Sequence, residues 1–209
     1  NESFMENTKE WLNNLKLRAS YGQVGNDVYT VGGVAQRFLY EEKWSQISND
    51  YMFGTSGKSG IYETQYPNYG VTWERAHKYN VGLEFGLWNG LLNGNIDLFH
   101  EKRNDILTNY LTRPEWVGVT MAAGNLGETV NSGFEIELKH NNHIGKEFQY
   151  NVGLTFSHAK NEIKNMDEPA LKTDYRKREG HPIGQYYGLV CDGFVTAADV
   201  ADPNFPTST

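Results

Sequence analysis

Apolar and polar residues alternate with a period of two in five stretches of this chain. Between Trp11 and Tyr21, Leu15, Leu17, Ala19 and Tyr21 fall on one side and Lys16, Arg18 and Ser20 on the other. That spacing places successive side chains on opposite faces of a β-strand. Between Trp73 and Trp88, Tyr79, Val81, Leu83, Phe85 and Leu87 form an apolar row, with Lys78, Asn80, Gly82, Glu84 and Gly86 between them. From Leu92 onward Gly94, Ile96, Leu98 and His100 oppose Asn93, Asn95, Asp97, Phe99 and Glu101, where Phe99 departs from an otherwise polar row. Phe134, Ile136, Leu138 and His140 oppose Gly133, Glu135, Glu137 and Lys139. In the last stretch Phe148, Tyr150, Val152, Leu154 and Phe156 oppose Gln149, Asn151, Gly153, Thr155 and Ser157. A helix would scatter each row around its circumference.

The pattern predicts an all-β chain of antiparallel strands near 11–22, 73–88, 92–103, 128–140 and 147–160. Each has about ten alternating residues, roughly what a tilted strand needs to cross a bilayer core. Asn89-Gly90 joins the second to the third, a dipeptide suited to the positive-φ geometry of a tight hairpin. A short polar turn holding Gly145 joins the fourth to the fifth. The remaining connections, 23–72, 104–127 and 161–209, are long. Short and long connections alternate, as the periplasmic turns and extracellular loops of an outer-membrane barrel do, with the first, third and fifth strands running outward. A soluble β-sandwich has the same alternation, its polar row facing water instead of a lumen, and stays open as an alternative. Aromatic residues near the strand ends, Trp11, Tyr21, Trp73, Trp88, Phe148 and Phe156, add weight to the barrel, because interfacial girdles sit there. Only 167–178 offers a short helix, and Pro169 and the lack of an apolar stripe argue against a long one.

Composition narrows the partners. A net charge of -7 leaves no basic surface for nucleic acid. The single cysteine, Cys191, builds neither a disulfide framework nor a cysteine zinc site. No apolar run is long enough for a membrane-spanning helix, which leaves strands as the way to cross. No basic-then-apolar leader opens the sequence, so a signal peptide is expected to be removed or to lie outside this chain.

Several segments resemble the SusC/RagA family of TonB-linked outer-membrane transporters. Leu15-Lys16-Leu17-Arg18-Ala19-Ser20-Tyr21-Gly22-Gln23-Val24-Gly25-Asn26 resembles that family's LKLRASYGxxGN strand and loop opening. Trp73-Glu74 with Tyr79-Asn80-Val81-Gly82-Leu83-Glu84, and then Gly94-Asn95-Ile96-Asp97-Leu98-Phe99, are similar to its next two strands. His100-Glu101-Lys102-Arg103-Asn104-Asp105-Ile106-Leu107 stands where a Tyr-rich ending before KxxDIL is usual. Asn125-Leu126-Gly127 through Asn131-Ser132-Gly133-Phe134-Glu135 resembles its NxGxxxNxGxE segment. Gly180-His181-Pro182-Ile183-Gly184-Gln185-Tyr186-Tyr187-Gly188, followed by Asp192-Gly193-Phe194, resembles its GxPxGxxYGYxxDG segment.

The resemblance implies that 1–209 is a partial TonB-dependent receptor β-barrel, drawn from a barrel of about 22 strands whose plug domain is absent from this chain. It implies a Bacteroidetes-type Gram-negative outer membrane and import of glycans, peptides or similar nutrients. The implied partners are a SusD-like surface lipoprotein as a lid and TonB, reached through the plug. The expected activity is transport and not catalysis, with no cofactor. The alternatives are a soluble β-sandwich glycan-binding module and a β-rich hydrolase.

The candidate substrate contacts fall in two groups. Glu84, Asp97, Glu101, Glu135 and Glu137 lie on the polar rows. Pairs such as Glu135 and Glu137 suggest the two carboxylates of a glycosidase, but strand alternation explains their positions, and pairing with Arg18 and Lys139 accounts for their charge. Tyr62, Tyr66, Tyr69, Tyr110 and Trp116 lie in the long loops, where aromatic faces stack on sugar rings or peptide side chains; Tyr29, Phe38, Tyr40 and Trp44 belong to the same wider set. No metal site is expected, since His140 and His143 have no third ligand nearby. The glycines at 22–25 and 180–188 open no helix and serve turns instead of phosphates.

Overall fold

The computed structural model describes residues 6, 8, 10–31, 33–112, 115–170, 174–191, 193–196 and 200. The side chains of residues 49–51, 53 and 115 lie outside that set, as does Asp192 of the last family-like segment. Among the described residues ten strands run in chain order: β1 (Leu12–Asn26), β2 (Tyr29–Val31), β3 (Val34–Gln36), β4 (Lys43–Phe53), β5 (Ser56–Tyr66), β6 (Glu74–Leu87), β7 (Leu92–Thr108), β8 (Thr120–Met121), β9 (Gly124–Ile144) and β10 (Phe148–Asn165). Five of them form one antiparallel sheet in the order β1-β6-β7-β9-β10, and these are the five alternating stretches. The sheet is open, with β1 and β10 at its edges.

Register decides what the alternation means. Leu17 pairs with Leu83, Leu83 with Ile96, Ile96 with Ile136 and Ile136 with Phe156, so one apolar row crosses all five strands. A slip of one residue in any pair would turn that strand's apolar set to the other face. Nothing covers these rows among the described residues: Leu17 is 74% exposed, Leu98 54% and Leu154 62%. A β-sandwich would have packed them against a second sheet.

The bottom of the sheet is closed by tight turns. The tight turn expected at Asn89-Gly90 is a four-residue connection, 88–91, in which Trp88, Asn89 and Gly90 all take positive φ (48°, 56° and 87°). Asn13 steadies it from β1, donating through Nδ2 to Asn89 Oδ1 at 2.9 Å. Gly145 at φ 68° turns β9 into β10.

At the other end the long 23–72 connection is not irregular throughout. It holds the β2-β3 hairpin and the β4-β5 hairpin, and β5 takes a short parallel bridge from β8 at Gln65 and Tyr66, the one departure from antiparallel pairing among the described residues. The only tightly packed apolar cluster among the described residues is here, where Leu39, Ala122 and Ala123 meet Tyr29, Val71 and Leu107. Among the described residues of the 167–178 segment the structure shows one 3-10 turn, Asp174–Arg176, and residues 171–173 lie outside the described set.

Asn125, the first residue of the NxGxxxNxGxE segment, clamps these loops together. Its Nδ2 donates to the carbonyls of Thr72 (2.8 Å) and Asp105 (2.7 Å), and its Oδ1 accepts from Thr72 N–H (2.9 Å). Asn125→Ala removes three hydrogen bonds, of which at least one is partly buried, and is expected to cost about 1–3 kcal/mol locally. Cleavage by added protease within 67–73 should then accelerate about tenfold, since proteolysis follows the opening equilibrium. Unchanged cleavage would remove the clamp from the account.

Candidate functional site

The polar face is built by the residues that alternate with the apolar rows. Arg18 on β1 lies across β6 and reaches β7, where its Nη2 donates to Asn95 Oδ1 at 2.9 Å and sits 3.0 Å from Asp97 Oδ2. Its Nε lies 3.1 Å from Glu84 Oε1, and Lys16 adds a second cation 3.6 Å from Glu84. This reach depends on Gly82, which pairs with both Arg18 and Asp97. A Cβ there would fall 2.6 Å from Asp97 Oδ1 and 2.8 Å from Arg18 Nη2.

Higher on the same face Glu101 is held between Lys78 (3.1 Å) and Arg103 (2.9 Å), and Arg103 continues to Glu74 at 3.0 Å. Toward β10, Lys139 pairs with Glu137 at 2.7 Å. Glu135 has no ion pair among the described residues, and it stands between Asp97 and Ser157 in register. An open depression of about 340 Å³ lies here, bounded by Asn95, Asp97, Glu135, Glu137, Thr155 and Ser157. The five carboxylates expected from the sequence therefore share one face, four of them neutralised by cations. A polar solute crossing it meets hydroxyls, amides and one unpaired carboxylate.

The loop aromatics are more dispersed. Tyr69 donates from its hydroxyl to Glu42 Oε1 at 2.9 Å, and that carboxylate raises the Tyr69 pKa above the usual phenol value. Tyr110 lies over Gly124, where a Cβ would come 2.6 Å from its hydroxyl oxygen, so it serves packing. Tyr62 and Tyr66 lie on β5, and Trp116 is 86% exposed on a 3-10 turn. None of these five lines the open cavity of about 540 Å³ at the outer end of the sheet, which is walled by Asp27, Tyr29, Arg37, Phe38, Tyr40 and Trp73 among others. Phe38 holds φ at 57° there, with Leu39 buried beneath it. Asp27, Gln36 and Arg37 carried no signal in the sequence, because only the fold of the β2-β3 hairpin brings them to the cavity.

His140 approaches Tyr150, 3.2 Å from its hydroxyl, and not His143. No group of three or more His, Cys, Asp or Glu suited to a metal ion occurs among the described residues.

Comparison with known proteins agrees with this geometry. Residues 9–187 match the family described as TonB dependent receptor-like, beta-barrel. The chain is 27% identical over 221 residues to TonB-dependent receptor P3 of Formosa agariphila, covering 100% of this chain and 20% of that protein. It is 28% identical over 171 residues to TonB-dependent receptor SusC of Bacteroides thetaiotaomicron, covering 79% and 16%. Its fold is similar to that of the RagAB peptide importer in the open-open state, with a TM-score of 0.57, 26% identity, and 74% of this chain and 16% of that one covered. The chain spans between 16% and 20% of the length of the curated relatives it matches. With its paired strands, uncovered apolar face and ion-paired polar face, the chain belongs to the TonB-dependent receptor-like β-barrel family, whose members are barrels of the bacterial outer membrane.

Proposed function

We propose that this chain forms part of the wall of a nutrient importer in the outer membrane of a Bacteroidetes-type bacterium, taking up glycans, peptides or similar solutes. The observation that carries this reading is the separation of faces. Five strands hold every apolar row on one side and every ion pair of the Arg18 and Glu101 networks on the other. In a bilayer the first side meets lipid and the second an aqueous lumen.

In this reading Glu84, Asp97, Glu101, Glu135 and Glu137 line the lumen, and Glu135 has the carboxylate most available to a passing solute. The loops carrying Tyr62, Tyr66, Tyr69, Tyr110 and Trp116 face the outside. A SusD-like surface lipoprotein would close over those loops, and TonB would act through a plug domain. The uncovered apolar face weighs against a soluble glycan-binding module, because exposed apolar area on this scale drives association in water.

A strain lacking the full-length protein tests the proposal by growth on single glycans and on peptide mixtures. Growth should fail on at least one of these macromolecular nutrients and return with a restored gene. Undiminished growth on both classes would count against import.

A further inference from the structure

Beyond transport, the apolar face ends in a polar cleft whose chemistry suits an anion. The row Tyr21-Tyr79-His100-Ser132 crosses four strands at the top of the apolar band, and His77 and Lys102 pair with each other directly above it. Tyr21 and Tyr79 lie 5.0 Å apart between ring centroids, and Tyr79 and His100 lie 6.1 Å apart. An open groove of about 520 Å³ is lined by His77, Tyr79, His100 and Lys102.

Both imidazoles are held through Nδ1 by a hydroxyl. Tyr21 lies 2.9 Å from His77 Nδ1, and Ser132 lies 2.7 Å from His100 Nδ1. When those hydroxyls donate, Nε2 of each ring carries the proton and is left to donate to a further acceptor. Lys102 sits 2.9 Å from Glu128 and is 44% exposed, so its ammonium keeps donors for a second partner. Of the other acids on this side, Glu162 is matched by Lys164 at 2.6 Å. Lys160, in register with Ser132, adds another cation.

We propose that this groove binds the phosphate of an anionic lipid headgroup in the outer leaflet, resting on the reading of the apolar face as lipid-facing. Height and chemistry agree. The groove lies where the apolar band gives way to aromatic residues with polar tips, the level at which headgroups sit. Two imidazoles and an ammonium lining one opening suit an oxyanion, because charge-assisted hydrogen bonds are the strong ones. The consequence is a fixed lipid on the outside of the wall, holding β6 against β7 at the level where the loops begin.

The test reconstitutes the full-length protein in phosphatidylcholine vesicles with and without phosphatidic acid and measures the lipid retained after extraction. Phosphatidic acid should be retained in preference. Lys102→Ala should lower that preference roughly fivefold, as about one surface cation is worth near anionic lipid. His77→Ala with His100→Ala should lower it further, while Lys78→Ala, one position away on the opposite face, should leave it unchanged. Two controls separate the ways of failing. A spin label at Ile96 reports contact with lipid: a lipid-exposed label with no preference for phosphatidic acid overturns the headgroup site alone, and a label in water overturns the facing as well. Saturation by inorganic phosphate in the absence of any lipid preference would make the ligand a free phosphate and also end the proposal.

Discussion

Arginine at position 83 or 136 should hinder insertion of the full-length protein into bilayers by about 2–4 kcal/mol, the cost of a cation on the lipid face near the midplane. Both positions belong to the row Leu17-Leu83-Ile96-Ile136-Phe156. Three apolar positions of β6 separate its two boundary rows, one at Tyr79 and the other at Leu87, and Leu83 is the middle one. Eight residues of strand cover about 27 Å, or about 20 Å along the membrane normal at a barrel tilt. Trp88 extends this at the lower end, so position 83 lies near the centre of an apolar band of roughly the expected 25 Å. The measurement is the urea midpoint of folding into vesicles for each variant against the parent protein.

The choice of control follows from the ion pairs. Facing alone predicts that Glu84→Arg is tolerated, since position 84 looks into the lumen. The structure changes that expectation, because Glu84 is the shared partner of Lys16 and Arg18. An arginine there would bring three cations together and strip Arg18 of one of its two ion-pair partners. Thr155→Arg is the cleaner comparison: Thr155 pairs with Glu137 on the polar face, so the new guanidinium has a carboxylate opposite it. Equal destabilisation by Leu83→Arg and Thr155→Arg would mean that the two faces do not meet different solvents.

The same asymmetry of solvent explains which parts of the fold were legible in the sequence. A strand with lipid on one side and water on the other must alternate, so the five sheet strands announced themselves residue by residue. The strands nonetheless run further than the alternation. β9 begins at Gly124 and ends at Ile144, against an expected 128–140, because strand pairing continues beyond the band where both faces are wet and side-chain type carries no facing information. β4 and β5 were hidden for the same reason. The segment Ser56–Tyr66 has no buried residue on either face, and only its last five residues alternate, Tyr62, Thr64 and Tyr66 against Glu63 and Gln65.

The candidate site divides along a similar line. Five carboxylates were placed on one face by counting, since their positions depend only on strand phase. Their partners depend on cross-strand register, which the sequence does not state; Arg18 reaching two strands over to Asp97 required knowing that Gly82 lies between them. The loop aromatics were the least legible. Tyr29, Phe38 and Tyr40 line the outer cavity while Tyr62, Tyr66 and Tyr69 do not, a difference set by the short β2-β3 hairpin and the anchoring of Leu39, not by residue type.

Gly82 and Gly133 solve one packing problem on the lumen face, and Gly133 yields the second large expected effect. Phe99, the apolar residue in an otherwise polar row, pairs with Gly133 and lies over it. A Cβ at Gly133 would stand 2.6 Å from the Phe99 ring and would also run into the His158 carbonyl oxygen of β10. A flexible ring can turn aside, but a carbonyl within a paired strand cannot move without disturbing the β9-β10 register. Gly133→Val is therefore expected to destabilise the folded barrel by about 1–3 kcal/mol or more, as overpacking does. Gly153, on the same face with nothing within 4 Å of its Cβ position, is the comparison. Phe99→Ala separates the two contacts: in that background Gly133→Ala should still cost stability, because the carbonyl remains. Full recovery would show that the ring alone demands the glycine, and equal costs for Gly133→Val and Gly153→Val would show that neither contact matters. The expected outcome ties the family-like Asn131-Ser132-Gly133-Phe134-Glu135 segment to geometry, with its glycine making room for a neighbour from β7 while Glu135, two residues on, stays open to the lumen.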